Sequence, residues 1–153
     1  MKKIIATIIL VSCMLFVTST QAQDRAIGLR GGNSNEVSFQ QKLSDQNRIE
    51  LDLGAWGLVS PVSMYLTGLY QWTIDIPSVT GLNWYVGVGV STGLYAEIGK
   101  SSSFSLAATG QAGIEYNLIF PLQISLDYRP AIAVVPGVNF WEADIALSVR
   151  YRF

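Results

Sequence analysis

The last ten residues read Asp144-Ile-Ala-Leu-Ser-Val-Arg-Tyr-Arg-Phe153 and alternate between apolar side chains and small or charged ones. Because successive side chains of a β-strand point to opposite faces, this segment has one apolar face and one polar face. The apolar face carries Ile145, Leu147, Val149, Tyr151 and Phe153. Such a pattern is typical of a strand with lipid on one side and a polar interior on the other. The segment therefore predicts a β-barrel in a membrane.

The N-terminal segment predicts export. Two lysines precede an apolar run over residues 4–17, and the small residues Thr20 and Ala22 follow it. This is the order of a secretory signal peptide, so we expect residues 1–22 to be cleaved and residues 23–153 to form the mature domain. A membrane anchor is the alternative, but the run is shorter than the ~20 residues that a spanning helix needs.

Cys13 leaves a second alternative open within this segment. Leu10-Val-Ser-Cys13 resembles a bacterial lipobox, in which the cysteine would be lipidated. The apolar run continues past it to Val17, which favours a cysteine inside the removed peptide. The mature chain would then hold no cysteine, and so neither a disulfide nor a thiolate nucleophile.

The composition narrows the class of protein. Half of the residues are hydrophobic and only 14% are charged, yet no apolar run after residue 23 is long enough for a transmembrane helix. Hydrophobicity spread as alternation is expected of a barrel in lipid. The net charge of −1, without a basic block, argues against a nucleic-acid partner. Histidine is absent, which removes Ser-His triads and His-based metal sites, so we expect no enzyme, metal or cofactor.

Turn residues divide the mature chain into eight segments of strand character. We predict strands at 26–32, 36–43, 48–58, 63–75, 82–96, 103–118, 122–134 and 141–153. An even number of antiparallel strands can close into a barrel without free edges and leaves both termini on one side. The prediction is an all-β fold, an eight-stranded antiparallel up-and-down transmembrane β-barrel. The alternation is less clear in the first two strands, and we expect a bulge near residues 43–48.

The two faces of the predicted strands differ in chemistry. From residue 49 on, one face is bulky and apolar and carries no charge. The other holds the charges together with small residues such as Gly87, Gly89 and Gly93, which would make room for bulky side chains opposite. A soluble barrel would place its bulky apolar residues inside, so this distribution favours lipid outside and a narrow polar lumen.

Aromatic residues cluster at the strand ends, as in the interfacial belts of membrane barrels. At the end nearest the termini we predict a girdle that comprises Trp72, Trp84, Tyr116, Tyr151 and Phe153. At the opposite end we expect Phe104 and Trp141. Aromatic side chains packed in an ordinary core would give no reason for clustering at one height.

The charges on the polar face nearly balance. We predict a lumen ion-pair network of Arg30, Glu50, Asp52, Glu115, Asp127, Arg129, Asp144, Arg150 and Arg152. On neighbouring strands, Asp127 could reach Arg150. Likewise, Arg129 could reach Asp144, whereas Arg48 lies at a turn and is left open. Eight strands enclose an interior that side chains roughly fill, and buried charges must be paired, so we favour a plugged lumen over a conducting path.

Several stretches carry a resemblance to a known family, among them Gly81-Leu-Asn-Trp-Tyr-Val-Gly87, Leu122-Gln-Ile-Ser-Leu-Asp-Tyr-Arg-Pro130 and residues 43–54, 66–72 and 144–153. The chain resembles the small eight-stranded outer-membrane barrels, including the membrane domain of outer-membrane protein A. It is most similar to short outer-membrane β-barrel proteins of Gram-negative bacteria. The resemblance implies that the final phenylalanine belongs to the signal read by the barrel-assembly machinery, and it supplies no catalytic residues.

Together these observations predict an integral outer-membrane barrel with a structural or interaction role and no enzymatic activity. Its expected partners are outer-membrane lipid and the barrel-assembly machinery, and we expect a monomer. Two alternatives remain open. One is a narrow channel for small or hydrophobic solutes. The other is a lipid-active outer-membrane enzyme, which would need a cleft that opens sideways to lipid.

Overall fold

The computed structural model describes residues 24–56, 62–96 and 103–153, which form a closed barrel of eight antiparallel strands. In chain order the strands are β1 (Arg25–Gly31), β2 (Asn35–Lys42), β3 (Asn47–Trp56), β4 (Val62–Asp75), β5 (Leu82–Ala96), β6 (Ser103–Asn117), β7 (Leu122–Val135) and β8 (Asn139–Arg152). Each strand pairs with the next, and β8 pairs with β1. The predicted fold class is confirmed, and the strand bounds that can be compared agree to within two residues.

Some of the predicted features lie outside the described residues. These are the signal peptide with Cys13, the end of the third strand at 57–58, and the connections within 57–61 and 97–102. Within the described ranges, no helix is long and apolar enough to cross a membrane.

Side chains alternate between a buried polar interior and an exposed apolar exterior. In β7, Ser125 and Asp127 are buried, whereas Leu126 and Tyr128 between them are exposed. Among the largest fully buried side chains are Arg30 and Arg150, and the exposed ones include many leucines, valines and isoleucines. This is the reverse of a soluble protein, and it is the distribution expected of a barrel with lipid around it.

Short connections and the two chain ends close the barrel at one side. Phe153 N donates to Arg25 O at 2.8 Å, and Arg25 N donates to Phe153 O at 3.2 Å, which extends the β1–β8 ladder to the last residue. The β4–β5 connection ends at Gly81, whose φ of 86° lies in the left-handed region that glycine adopts without steric cost. This end of the barrel, where Arg25 meets Phe153, is called the proximal end, and the opposite one the distal end.

The expected bulge near residues 43–48 is wrong. The β2–β3 register runs without a shift from Glu36 opposite Gly54 to Lys42 opposite Arg48. Residues 43–46 instead form a turn, in which Leu43 N donates to Asn47 O at 2.8 Å. The polar residues of this segment therefore belong to a tight connection between strands.

Irregular pairing occurs instead around Pro130 in β7. Arg129 lies opposite Asp144 and Ala131 opposite Trp141, so β8 has one residue more than β7 between these two pairs. Proline has no N–H to give to a ladder, and strand prolines are accordingly found at bulges and edges. The β6–β7 pairing also shifts by one residue, nearer the distal end of the two strands.

Candidate functional site

Arg30 on β1 binds three carboxylates inside the barrel. Its Nη2 lies 2.6 Å from Asp127 Oδ1, and its Nη1 lies 3.2 Å from Glu36 Oε2 and 2.5 Å from Asp144 Oδ2. The arginine side chain is fully buried. Because β1 supplies the arginine and β2, β7 and β8 the acids, this cluster joins four consecutive strands of the closed barrel across the β1–β8 seam.

Arg129 on β7 binds a second set of three carboxylates. Its Nη1 lies 3.0 Å from Glu36 Oε2, and its Nη2 lies 3.3 Å from Glu50 Oε1 and also pairs with Asp52. Glu36 thus joins the Arg129 cluster to the Arg30 cluster. Since charge-assisted hydrogen bonds are the stronger ones, this shared carboxylate couples the two clusters tightly.

Glu50 lies at the centre of the network. Arg150 Nη2 lies 3.0 Å from Glu50 Oε2, and Gln40 Nε2 donates to the same oxygen at 2.5 Å. The other nitrogens of the Arg150 guanidinium donate to Ser38 Oγ at 2.9 Å and to Ser125 Oγ at 2.8 Å. A charge buried this deeply is expected to be paired and fully hydrogen-bonded, as Glu50 is.

Arg48 extends the network towards the proximal end. Its Nη1 lies 2.6 Å from Glu115 Oε2, and its Nε donates to Gln71 Oε1 at 2.5 Å. The guanidinium also lies over the Tyr85 ring, 4.7 Å from the centroid, where a cation is attracted to the aromatic face. Gln71 donates to Gln111, which in turn donates to Glu50. The polar network is therefore continuous from the proximal third of the lumen to the distal third.

Two interior glycines leave the room that this network needs. A Cβ on Gly113 would lie 2.6 Å from Tyr85 Cζ, and one on Gly87 would lie 2.9 Å from Gln71 Cγ. The structure thus agrees with the interpretation that glycines of the polar face accommodate bulky side chains opposite them.

The interior contains most of the charged residues that the alternation singled out. Eight of the nine take part in the network through ion pairs, namely Arg30, Glu50, Asp52, Glu115, Asp127, Arg129, Asp144 and Arg150. The ninth, Arg152, lies at the proximal end, where its Nη2 donates to Leu118 O at 3.0 Å. It has no carboxylate within ion-pair distance in the part of the chain that the structure describes.

The partners differ from the expected ones. Asp127 pairs with Arg30 and not with Arg150, which pairs with Glu50. Arg129 lies opposite Asp144 in the register but extends across the lumen to acids on β2 and β3. The long Arg129 side chain is able to reach these acids because the barrel is narrow.

Glu36 belongs to the network and was missed, and Arg48, which the sequence left open, belongs to it as well. Both are buried, and each makes ion pairs in the interior. A signal for Glu36 was present, because it alternates with Ser38 and Gln40 on one face of β2 while Val37 and Phe39 lie between them. Arg48 follows directly on turn residues, which obscured the face on which it lies.

The aromatic side chains at the proximal end face outwards. Trp72, Trp84, Tyr116 and Tyr151 are all exposed on the outer surface. Tyr70 meets Trp72 edge to face at a centroid distance of 4.9 Å, and Tyr151 stacks with Phe153 at 6.4 Å. Their height and exposure suit an interfacial belt, and the role of a girdle stays a prediction.

At the distal end, the structure describes the side chain of one of the two predicted belt residues. Phe104 is exposed on the outer surface, whereas the side chain of Trp141 lies outside what the structure describes. Phe140 beside it is 78% exposed. The extra residue in β8 near Pro130 changes the alternation there, so extrapolating from the terminal strand no longer identifies the outward position.

Two cavities flank the ion-pair network. The distal cavity, of about 550 Å³, reaches Glu36, Arg129 and Asp144 at its floor. The proximal cavity, of about 370 Å³, reaches Arg48 and Glu115. The ion pairs around Glu50 lie between these two floors. Within the described residues, four buried arginines face five buried carboxylates, and Asp144 and Arg152 are partly buried, so the charges of the interior nearly balance.

The comparisons with known proteins concern the fold. No protein-family model matches the sequence, and no curated protein matches it. The N-terminal β-barrel domain of Pseudomonas aeruginosa OprF is similar with a TM-score of 0.70 and 17% identity, over 87% of this chain and 100% of that one. Neisserial surface protein A is similar with a TM-score of 0.61 and 16% identity, over 84% of this chain and 93% of that one. The attachment invasion locus protein Ail of Yersinia pestis has a TM-score of 0.55 and 14% identity, again over 84% of this chain and 93% of that one.

At these identities the likeness establishes the fold alone. Ail is an outer-membrane protein, and a designed transmembrane β-barrel is similar as well, with a TM-score of 0.51. The apolar exterior described above agrees with the surroundings of such barrels. This chain therefore has the eight-stranded fold of the small outer-membrane β-barrels.

Proposed function

We propose that this protein is an integral outer-membrane β-barrel with a structural or interaction role, whose lumen is plugged by its own ion pairs. Residues 1–22 would direct export and be removed, and the barrel would act as a monomer without catalytic activity. The observation that carries the proposal is the continuous polar network from Arg48 through Glu50 to Arg30. The apolar exterior supports the location.

The physical reason for a plug is the cost of separating these charges. Removing one partner of a buried pair leaves an uncompensated charge, which destabilises a protein by about 3–5 kcal/mol. In this interior Glu50 contacts two arginines, and Arg129 contacts three carboxylates. A solute could pass only by breaking several such pairs together, so the closed arrangement is strongly favoured.

The two cavities favour a narrow channel as the second candidate. They extend inwards from both ends, and the polar network separates their floors. A lipid-active enzyme has less support, because the paired strands leave no sideways cleft within the described ladders.

Planar-bilayer recordings test the plug. We expect negligible current from the parent protein, since the guanidinium layer fills the lumen. Arg150→Ala removes the group that holds Glu50, Ser38 and Ser125 together, and we expect discrete current steps from this variant. Asp127→Ala, which removes a carboxylate from the Arg30 cluster, should conduct as well.

Arg25→Ala is the matched control, because Arg25 is exposed and its Nε donates to Gln41 Oε1 outside the network. It should leave the barrel as closed as the parent. Steady current through the parent would overturn the plug and support the channel. If neither Arg150→Ala nor Asp127→Ala gives a current, with the folded barrel verified, the ion pairs do not seal the lumen.

We expect deletion of Phe153 to impair assembly. The deletion removes both main-chain hydrogen bonds to Arg25 and the ring that stacks on Tyr151. The amount of heat-modifiable, membrane-inserted protein should fall clearly below that of the parent. Phe153→Tyr, which keeps the main chain and an aromatic ring, is the control. Unchanged amounts after the deletion would refute the role of this residue in the assembly signal.

A further inference from the structure

One wall of the distal cavity is a surface of hydroxyl groups. The strands β4, β5 and β6 contribute Ser63, Tyr65, Thr67, Ser91, Ser105 and Thr109. Several of these groups are hydrogen-bonded within the wall: Thr67 Oγ1 and Ser91 Oγ are 2.9 Å apart, and Thr109 Oγ1 donates to Pro130 O at 3.0 Å. A hydroxyl that donates into the wall keeps oxygen lone pairs as acceptors. The wall therefore offers acceptors to a ligand that has donors.

The opposite side of the cavity offers both kinds of partner. Asp144, whose side chain is 15% exposed, and Glu36 supply carboxylate acceptors. Arg129 also lines the cavity and is 6% exposed, and its buried Nε has no hydrogen-bond partner among the described residues. That nitrogen is itself inaccessible, so Arg129 acts on the cavity through the positive charge of its guanidinium.

These partners restrict the charge of the ligand. An anion would meet Glu36 and Asp144, and a simple cation would meet the guanidinium of Arg129. A hydroxyl group serves both sides, since it donates to a carboxylate and accepts from an N–H. A neutral molecule with several hydroxyl groups also leaves the existing ion pairs undisturbed.

The shape of the wall adds an apolar contact. The Tyr65 ring lies beside Gly93, where a Cβ would be 3.4 Å from Tyr65 Cδ1 and 2.6 Å from Ser105 Oγ. The missing side chain leaves room for the Tyr65 ring and the Ser105 hydroxyl in this part of the wall. A ring that has an apolar body and a polar hydroxyl suits a ligand with C–H groups on one face and hydroxyls at its edge, as a sugar ring has.

We propose that the distal cavity binds a small neutral saccharide, of one or two sugar rings, between the hydroxyl wall and the Asp144–Arg129 side. The volume of about 550 Å³ is within the ~300–1,000 Å³ of pockets that hold small molecules. The saccharide proposal rests on the proposed plug in one respect, which is that the ion-paired layer closes the inner end of the cavity. The saccharide could be free or could belong to the headgroup of a surface glycolipid.

Saturation-transfer NMR on the full barrel in phospholipid nanodiscs, prepared without sugar-based detergent, tests the site. The neutral probes are glucose, N-acetylglucosamine and maltose, and the charged counter-probes are glucuronic acid and glucosamine. We expect transfer to a neutral probe and weaker transfer to both charged ones. Transfer only to glucosamine, or no transfer to any neutral probe, would overturn the proposal.

Variants localise the signal. Ser91→Leu places a bulky side chain in the distal cavity and should abolish transfer. Asn83→Leu, on the same strand but lining the proximal cavity, is the matched control and should keep it. Tyr65→Ala should weaken binding by roughly 2- to 10-fold, the effect of losing one aromatic contact. Equal transfer in the parent and in both distal variants, each folded by heat-modifiable migration, would contradict the site.

A second arm identifies the source of the saccharide. The same measurement is repeated in nanodiscs that contain lipopolysaccharide. Loss of transfer to the free probe would support the site with a glycolipid headgroup as its occupant, whereas unchanged transfer would support it with a free saccharide. Because conductance does not enter these readouts, a failed plug and a failed saccharide site give different results.

Discussion

Arg129→Ala will lower the free energy of unfolding of the barrel by about 3–5 kcal/mol, the range expected when one partner of a buried ion pair is removed. The guanidinium is the shared cation of Glu36, Glu50 and Asp52, all of which are buried. Without it, the carboxylates on the neighbouring strands β2 and β3 repel one another with less compensation. Urea unfolding of the protein in lipid vesicles, followed by tryptophan fluorescence, measures the loss.

Two variants make this measurement specific. Arg25→Ala removes an exposed arginine from β1, and the unfolding free energy should change by no more than about 0.5 kcal/mol, as for most surface substitutions. Arg129→Lys retains the charge but not the planar fork of donors, so its loss should lie between those of the alanine variant and the parent. Equal losses for Arg129→Ala and Arg25→Ala would contradict the structural importance of the interior ion pairs.

Gly28→Ala is expected to leave most of the protein unfolded. Gly28 lies on β1 opposite Arg150, and a Cβ there would lie 1.9 Å from Val149 O and 2.5 Å from the Arg150 Cα. Both atoms belong to the backbone of β8, so β1 would have to move away from the strand that closes the barrel. This exceeds ordinary overpacking, which costs about 1–3 kcal/mol. Heat-modifiable migration on gels reports the folded fraction.

Gly31→Ala is the matched control on the same strand. The nearest atom to its added Cβ is the side-chain Oδ1 of Asn35 at 3.7 Å, an ordinary contact distance. The control should fold like the parent, because the substitution leaves the β1–β8 ladder in place. A folded fraction for Gly28→Ala as high as that for Gly31→Ala would contradict the close approach of β1 and β8.

Alternation in the sequence was sufficient to predict the architecture. A strand exposes every second residue, so lipid on one side and charge on the other leave a pattern that needs no tertiary information. The same pattern identified the interior acids and arginines on β3, β6, β7 and β8. The pattern also placed Glu36 on the interior face. That placement was missed because the first two strands have polar residues on both faces.

Partner choice in the lumen could not be predicted in this way. Arg129 and Asp144 are neighbours in the register, yet the arginine binds acids on the far wall. That choice depends on how the barrel curves and on the reach of a long side chain, and alternation encodes neither. Pro130 was a usable signal for the irregular pairing beside it, since a proline inside a strand marks an edge or a bulge.

The ion pairs of Arg30 have a consequence for the order of assembly. They join β1 to Asp127 and Asp144, which are 97 and 114 positions further along the chain. The entropic cost of closing a loop rises with its length, and contacts so distant in sequence form slowly. These pairs can form only after β1 has met β8. The barrel wall therefore closes and water leaves the lumen in the same late, cooperative step. In a partly assembled barrel these charges would face water, and they would gain their partners in the interior only when the wall closes.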